Sequence, residues 1–265
     1  MSKLAVPAES TLKLDGVTLN YVKYGHGPCR MLCVPGVLGT WQTDFGIPFL
    51  EGFSVNNYTI VVVDPPGYGK SRPPDRIFKL DAQHYRRDAR VLSLLMQHLN
   101  LCPFSVLGWS EGARTALYLA HDYPNYVLKA IEWGGSVSVS NEKRNFYAAI
   151  RDTNCWLTQK RETFLRIYGE QYLEETWQAF REYNFSVHEE RNGNICRGIL
   201  PEIECPVLVI DPVNDITPLS ARKESNLIAK SVQNGRLVTH PEGGHNVHLT
   251  HADWFRKEVT DFLSS

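Results

Sequence analysis

One stretch near the middle of the chain, Val106-Leu107-Gly108-Trp109-Ser110-Glu111-Gly112-Ala113, restricts the fold more than any other. It reads G-x-S-x-G, directly after an apolar run that suits a strand and directly before a run that suits a helix. A strand that becomes a helix within so few residues forces the central serine into a strained backbone conformation. The two glycines remove side chains that would collide with the adjoining strand and helix. The hydroxyl then stands at the edge of a sheet. Backbone N–H groups at the helix N-terminus face any negative charge that develops beside it.

Such a turn needs a sheet around it, and the flanking sequence supplies one. Residues 11–21 alternate apolar and polar around Asp15-Gly16, a pair suited to a two-residue hairpin turn because both positions need positive φ. Short apolar runs follow at 31–34, 58–63, 104–107, 127–131, 207–210 and 236–239, with helical patterns at 81–99, 111–122, 218–231 and 252–263 between most of them. A hairpin followed by this alternation predicts an α/β fold, a mostly parallel sheet flanked by helices. From 136 to 201 the alternation stops, and Trp156, Tyr168, Tyr172, Trp177 and Phe180 are interleaved with charges. That stretch reads as an inserted helical cap over the edge where ligands of open α/β sheets bind. The chain then divides into a core, 1–135 and 202–265, and a cap, 136–201.

A length of 265 residues suits one large domain with an insertion and needs no disulfide or metal staple. The 28 Lys+Arg against 29 Asp+Glu give a net charge of −1, which offers no general attraction to nucleic acid or an acidic membrane. No run approaches the roughly 18 apolar residues of a spanning helix. The N-terminus lacks both a secretory apolar core and an Arg-rich amphipathic pattern, which favours the cytoplasm; a trimmed leader would leave the mitochondrion open. The expected partner is therefore a small molecule, and the expected state a monomer. Six scattered cysteines read as buried free thiols. Arg86, Arg87 and Arg90, alternating with Asp88, read as a solvated helix face.

A serine hydroxyl is a poor nucleophile near neutral pH unless an adjacent base takes its proton. In a strand–turn–helix setting the base is a histidine steadied by a carboxylate, in chain order Ser, acid, His. His245 lies in Glu242-Gly243-Gly244-His245-Asn246, between the last strand and the last helix, where an imidazole can hang over Ser110. His240 ends a strand, while His248 and His251 suit packing or surface roles. Because 245, 248 and 251 straddle a loop and a helix start, they share no fixed face and no metal site is expected. Asp211 ends the seventh strand and Asp215 follows in the loop. A carboxylate must reach past the strand edge, so Asp215 is the expected acid and Asp211 a support for the turn. The oxyanion donors are expected to be the N–H groups of Glu111 and of Val37, in Pro35-Gly36-Val37-Leu38-Gly39, with Leu38 as the other possible register. Asp64 and Ser71 are expected to brace the loop beneath the site, since no Walker sequence accompanies them.

Together the elbow, the P-G-x-x-G loop, the stretch Asp64-Pro65-Pro66-Gly67-Tyr68-Gly69-Lys70-Ser71 and the Asp215/His245 arrangement resemble the α/β-hydrolase superfamily. Thr43-Asp44-Phe45-Gly46, Ser71-Arg72-Pro73-Pro74-Asp75-Arg76, Asn192-Gly193-Asn194-Ile195-Cys196-Arg197 and Pro241-Glu242-Gly243-Gly244-His245-Asn246 narrow the resemblance to the valacyclovir hydrolase family, over essentially the whole chain after the first dozen residues. The resemblance implies hydrolysis of α-amino-acid esters, including ester prodrugs and homocysteine thiolactone, with Ser110, Asp215 and His245 as the triad. That family has an Asp after the nucleophile to hold the substrate's α-ammonium. Glu111 stands there in this chain, one methylene longer, and Ala113 replaces a Gly.

Elementary electrostatics bears on Glu111 as well. A lone negative charge about 6 Å from an oxyanion raises its energy by about 3 kcal/mol at an effective dielectric of 20. A substrate ammonium between the two would reverse that sign. The expected enzyme is thus a serine esterase that needs no cofactor. Its rivals are a general carboxylesterase or carbon–carbon bond hydrolase, and a non-catalytic binding protein on the same scaffold.

Overall fold

The computed structural model describes residues 7–80, 83–215 and 222–265. Strands β1 (Glu9–Leu14) and β2 (Val17–Gly25) form the expected hairpin, with Asp15 and Gly16 at φ 51° and 77°. The remaining strands are β3 (Cys29–Val34), β4 (Tyr58–Val63), β5 (Phe104–Trp109), β6 (Val127–Trp133), β7 (Val207–Pro212) and β8 (Gly235–His240). They form one sheet in the order β1-β2-β4-β3-β5-β6-β7-β8. The pairs β1/β2 and β2/β4 are antiparallel and the rest parallel.

Period-two alternation explains why a sheet of such apolar strands is covered on both faces. On β4, Val61 and Val63 enter one core layer while Ile60 and Val62 enter the other. The first layer holds apolar residues of α2 (His84–His98) and α3 (Glu111–Asp122), among them Leu92 and Ala116. The second is closed by α1 (Gly46–Glu51) and α9 (Ala252–Ser264) through Phe49, Leu50, Phe255 and Val259. Between β6 and β7 lie α4 (Asn141–Ala149), α5 (Thr158–Tyr168) and α6 (Glu170–Glu190). After β7 come α7 (Arg222–Ser231) and, beyond β8, the short α8 (Val247–Thr250). Among the described residues no helix is long and apolar enough to cross a membrane.

Every expected strand lies within an observed one, and α3 coincides with its expected range. The starts expected for the helices at 81 and 218 fall at or beside residues outside the described set. Three expectations need correction. Asp88 does not belong to a solvated face: it is buried against Arg76, while Arg86 pairs with Asp122 and Arg90 with Asp15. Cys155 is exposed, unlike the buried Cys33 and Cys196. The insertion is not purely helical, because its two ends pair. Val139 N–H donates to Gly193 O (2.8 Å) and Ile195 N–H to Val137 O (3.0 Å), making a short stem. A π-helical turn at Trp41–Phe45 was not anticipated. Thr40 caps it, and Asp64 accepts its first N–H at 2.8 Å.

Candidate active site

The turn from β5 into α3 holds Ser110 at φ 56°, ψ −115°, in the left-handed half of backbone space that L-residues rarely adopt. Its N–H donates to Trp133 O (2.9 Å), tying the elbow to β6. The flanking glycines are needed for the expected reason. A Cβ on Gly108 would lie 2.5 Å from Gly112 O, and one on Gly112 would run into the backbone of Val34 and Pro35. Gly36, in the loop after β3, would put a Cβ 3.1 Å from Ser110 Cβ and 3.5 Å from its Oγ.

Strands β7 and β8 are parallel neighbours, and the loops that leave them are stitched together. Val213 N–H donates to His240 O (3.0 Å) and Asn214 N–H to Gly243 O (2.8 Å). This brings Asp215 Oδ2 to 2.7 Å from His245 Nδ1, with the Asp215 side chain buried. His245 is also located from the elbow, since Trp109 Nε1–H donates to its carbonyl oxygen at 2.9 Å. Gly134 allows the ring in: a Cβ there would lie 2.9 Å from His245 Cε1. Ser110 and His245 border one cavity of about 710 Å³. Among the described residues Ser110 Oγ makes no hydrogen bond to His245 in this conformation, and such contacts are often long before substrate arrives.

Asp211 is buried at the end of β7, where Arg222 lies 3.6 Å from it and Ser225 hydrogen-bonds to it. Among the described residues it faces α7; the loop it was expected to brace continues into 216–221, outside them. Val37 borders the cavity, whereas Leu38 is fully buried, at φ 59°, with its carbonyl accepting the Tyr168 hydroxyl at 2.7 Å. Asp64 accepts from Asn20 Nδ2, Lys70 N–H and Trp41 N–H, and Ser71 Oγ donates to Asp64 O at 2.6 Å, so both brace the loop as expected. His248 is buried. Its Nδ1 accepts from Trp133 Nε1–H, its Nε2–H donates to Asp44 O, and burial pushes its pKa down to about 3. It is a neutral packing residue.

The main departure concerns Glu111. Its carboxylate is not a lone charge: Tyr68 donates a hydroxyl to Oε2 (2.9 Å), and Arg76 Nη2 lies 3.3 Å from Oε1. Arg76 also binds Asp88 and Pro66 O, and all three charged side chains are buried. Burial pushes Asp88 up to about 6 against the pull of the guanidinium. The Arg76 guanidinium behind Glu111 offsets part of the repulsion that a lone carboxylate would exert on an oxyanion, though Asp88 shares that one cation. Sequence reasoning missed this group, although Asp88 sits on the same helix face as Tyr85 and Leu92, and a carboxylate on an apolar face asks for a buried partner.

The comparisons with known proteins agree with this architecture. Residues 30–147 match the model of the α/β-hydrolase fold family. The human protein named serine hydrolase BPHL is 40% identical over 250 residues, which cover 94% of this chain and 84% of the relative. The mouse serine hydrolase BPHL is 39% identical over the same shares. Among solved structures, MGS-M2, an α/β hydrolase enzyme from a Medee basin deep-sea metagenome library, superimposes with a TM-score of 0.76 at 18% identity, over 97% of this chain and 98% of the other. That last likeness speaks for the fold. With two fifths of its residues shared along nearly its whole length, the chain belongs to the α/β-hydrolase superfamily and, within it, to the family of the serine hydrolase BPHL.

Proposed function

We propose that the chain is a serine esterase that cleaves carboxylic esters through an acyl-enzyme on Ser110, with 136–201 as its cap. The observation that carries this reading is the strained Ser110 elbow facing the same cavity as the His245–Asp215 pair. Asp215 accepts a hydrogen bond from Nδ1–H, which leaves Nε2 as the basic nitrogen for the Ser110 hydroxyl. The alkoxide attacks the ester carbonyl, and the N–H groups of Val37 and Glu111 stabilise the oxyanion. The alcohol leaves with the proton held by His245. Water, deprotonated by the same imidazole, then releases the acid.

The finer proposal takes the acyl part as an α-amino acid whose ammonium is held at Glu111. The resemblance to the amino-acid esterases supports it, as does the place of Glu111 on the cavity wall. A second reading, a carboxylesterase indifferent to the amine, is favoured by the Arg76–Glu111 pair, because that carboxylate already has a cationic partner, though one it shares with Asp88. Valine and isovaleric acid esters of one alcohol decide between them, because the two acyl groups differ only at the amine. Under the first reading kcat/KM is about tenfold higher for the valine ester, near 1.4 kcal/mol, and Glu111→Gln narrows the gap. Equal rates select the second. A fluorophosphonate probe that labels wild type but not Ser110→Ala excludes a non-catalytic binding protein.

A further inference from the structure

Besides His245, the cavity wall carries the charged side chains Asp44, Glu111, Arg114 and Lys160. Three of them are engaged. Asp44 accepts from Gly36 N–H (2.8 Å) and from the Thr43 hydroxyl (2.8 Å). Glu111 is held by Tyr68 and Arg76. Arg114 donates to Ser136 O (3.0 Å) and to the Tyr85 hydroxyl. Lys160 differs. Among the described residues its ammonium makes no hydrogen bond and no ion pair; its contacts are two aromatic faces and the more distant charge of Asp44.

Position on the chain explains the arrangement. Lys160 is in the first turn of α5, four residues before Phe164 on the same helix face, while Trp156, in extended backbone just before the helix, also sets its ring beside it. Its Nζ lies 5.3 Å from the Trp156 ring centre and 5.9 Å from that of Phe164. Aromatic faces attract a cation and fix its place without cancelling its charge. The surrounding protein pulls the ammonium below the ordinary lysine value, and the Asp44 charge works the other way. Asp44 gives little in return, because its own carboxyl is pushed up to about 6 by burial and both its oxygens are occupied. Lys160 is an exposed residue on the cavity wall, and among the described residues its ammonium rests against the two rings without a bonded carboxylate. A cation held in place on the cavity wall with no protein anion bonded to it is free to pair with an anion brought by the ligand.

We infer that Lys160 is a specificity residue, and that the favoured substrates are esters bearing an anionic group, such as a carboxylate, that meets Lys160 while the ester carbonyl lies at Ser110. The inference rests on the ester-hydrolase reading but not on the amine. Both the acyl and the alcohol side of the ester are open to the anion, so the test has two arms. One compares mono-4-nitrophenyl glutarate with its neutral methyl ester. The other compares 4-acetoxybenzoate with methyl 4-acetoxybenzoate. The readout is the anionic-to-neutral ratio of kcat/KM in wild type, Lys160→Met (which keeps the stem and removes the charge) and Lys160→Glu.

In at least one arm the wild-type ratio is expected to be about tenfold above that of Lys160→Met, a size suited to a partly screened charge pair. It falls further in Lys160→Glu and shrinks in wild type as salt rises. A ratio unchanged by Lys160→Met in both arms overturns the inference, while turnover of the neutral esters leaves the esterase reading standing. Failure of wild type to cleave any of the four overturns both.

Discussion

Glu132 lies on β6, paired in register with Gly108 of the elbow. It is fully enclosed, its Oε2 makes no hydrogen bond, and burial pushes its carboxyl up to about 8, with Glu224 and Asp211 adding to the rise. At neutral pH it is a protonated acid beneath the candidate active site. Between the ordinary carboxyl value of 4.5 and about 8 the unfolded chain gives up this proton and the folded chain keeps it. Stability therefore falls as pH rises across that window, by a few kcal/mol at most. Glu132→Gln should flatten the curve of Tm against pH and raise Tm at pH 8 relative to wild type; parallel curves for the two proteins would refute the assignment. Residues of this kind separate what the sequence discloses from what it hides. Ser110 and His245 were legible because glycine-rich motifs mark their backbones, and Asp215 because it stands beyond a strand end. Arg76, Glu132 and Lys160 carry no such mark, since their roles come from neighbours distant in the chain.

The insertion is fastened to the core by two tyrosines whose hydroxyls reach loops. Tyr168, at the end of α5, donates to Leu38 O (2.7 Å) and accepts from Gly69 N–H (2.9 Å). Tyr172, near the start of α6, donates to Gly67 O and accepts from Arg76 N–H, and the two rings stack. Leu38 follows Val37 and has a left-handed φ that costs about 1–2 kcal/mol outside glycine. The Tyr168 bond helps hold that conformation, so the helix that roofs the cavity also sets the loop proposed to carry an oxyanion donor. Tyr168→Phe should lower kcat about tenfold while KM changes less, and should slow fluorophosphonate labelling in parallel. A purely structural role would lower Tm and leave kcat intact. Period-two and helical patterns made β3 to β8, α3 and α9 readable from the chain. The π-helical turn at Trp41–Phe45 was not readable, because a side chain over twenty residues away, Asp64, holds its first N–H.

Across the whole molecule, the alternation of strands and helices foretold a covered parallel sheet, but not the order in which β2, β4 and β3 lie side by side. That order comes from packing and the handedness of crossovers, which leave no local trace. The stem of the insertion is similarly set from afar: Glu224 on α7 accepts the N–H groups of Val137 (2.9 Å) and Ser138 (3.1 Å). All of this rigidity converges on an elbow whose centre holds an unfavourable backbone angle. Glycine is the residue most at ease there. Ser110→Gly is accordingly expected to melt no lower than wild type, and Ser110→Val well below it, with calorimetry as the check; a clear loss of Tm in the glycine variant would mean the angle carries no cost. With Ser110 as the proposed nucleophile, robustness and reactivity oppose each other at a single position, so a lineage freed from the need to react would drift toward a sturdier, inert descendant.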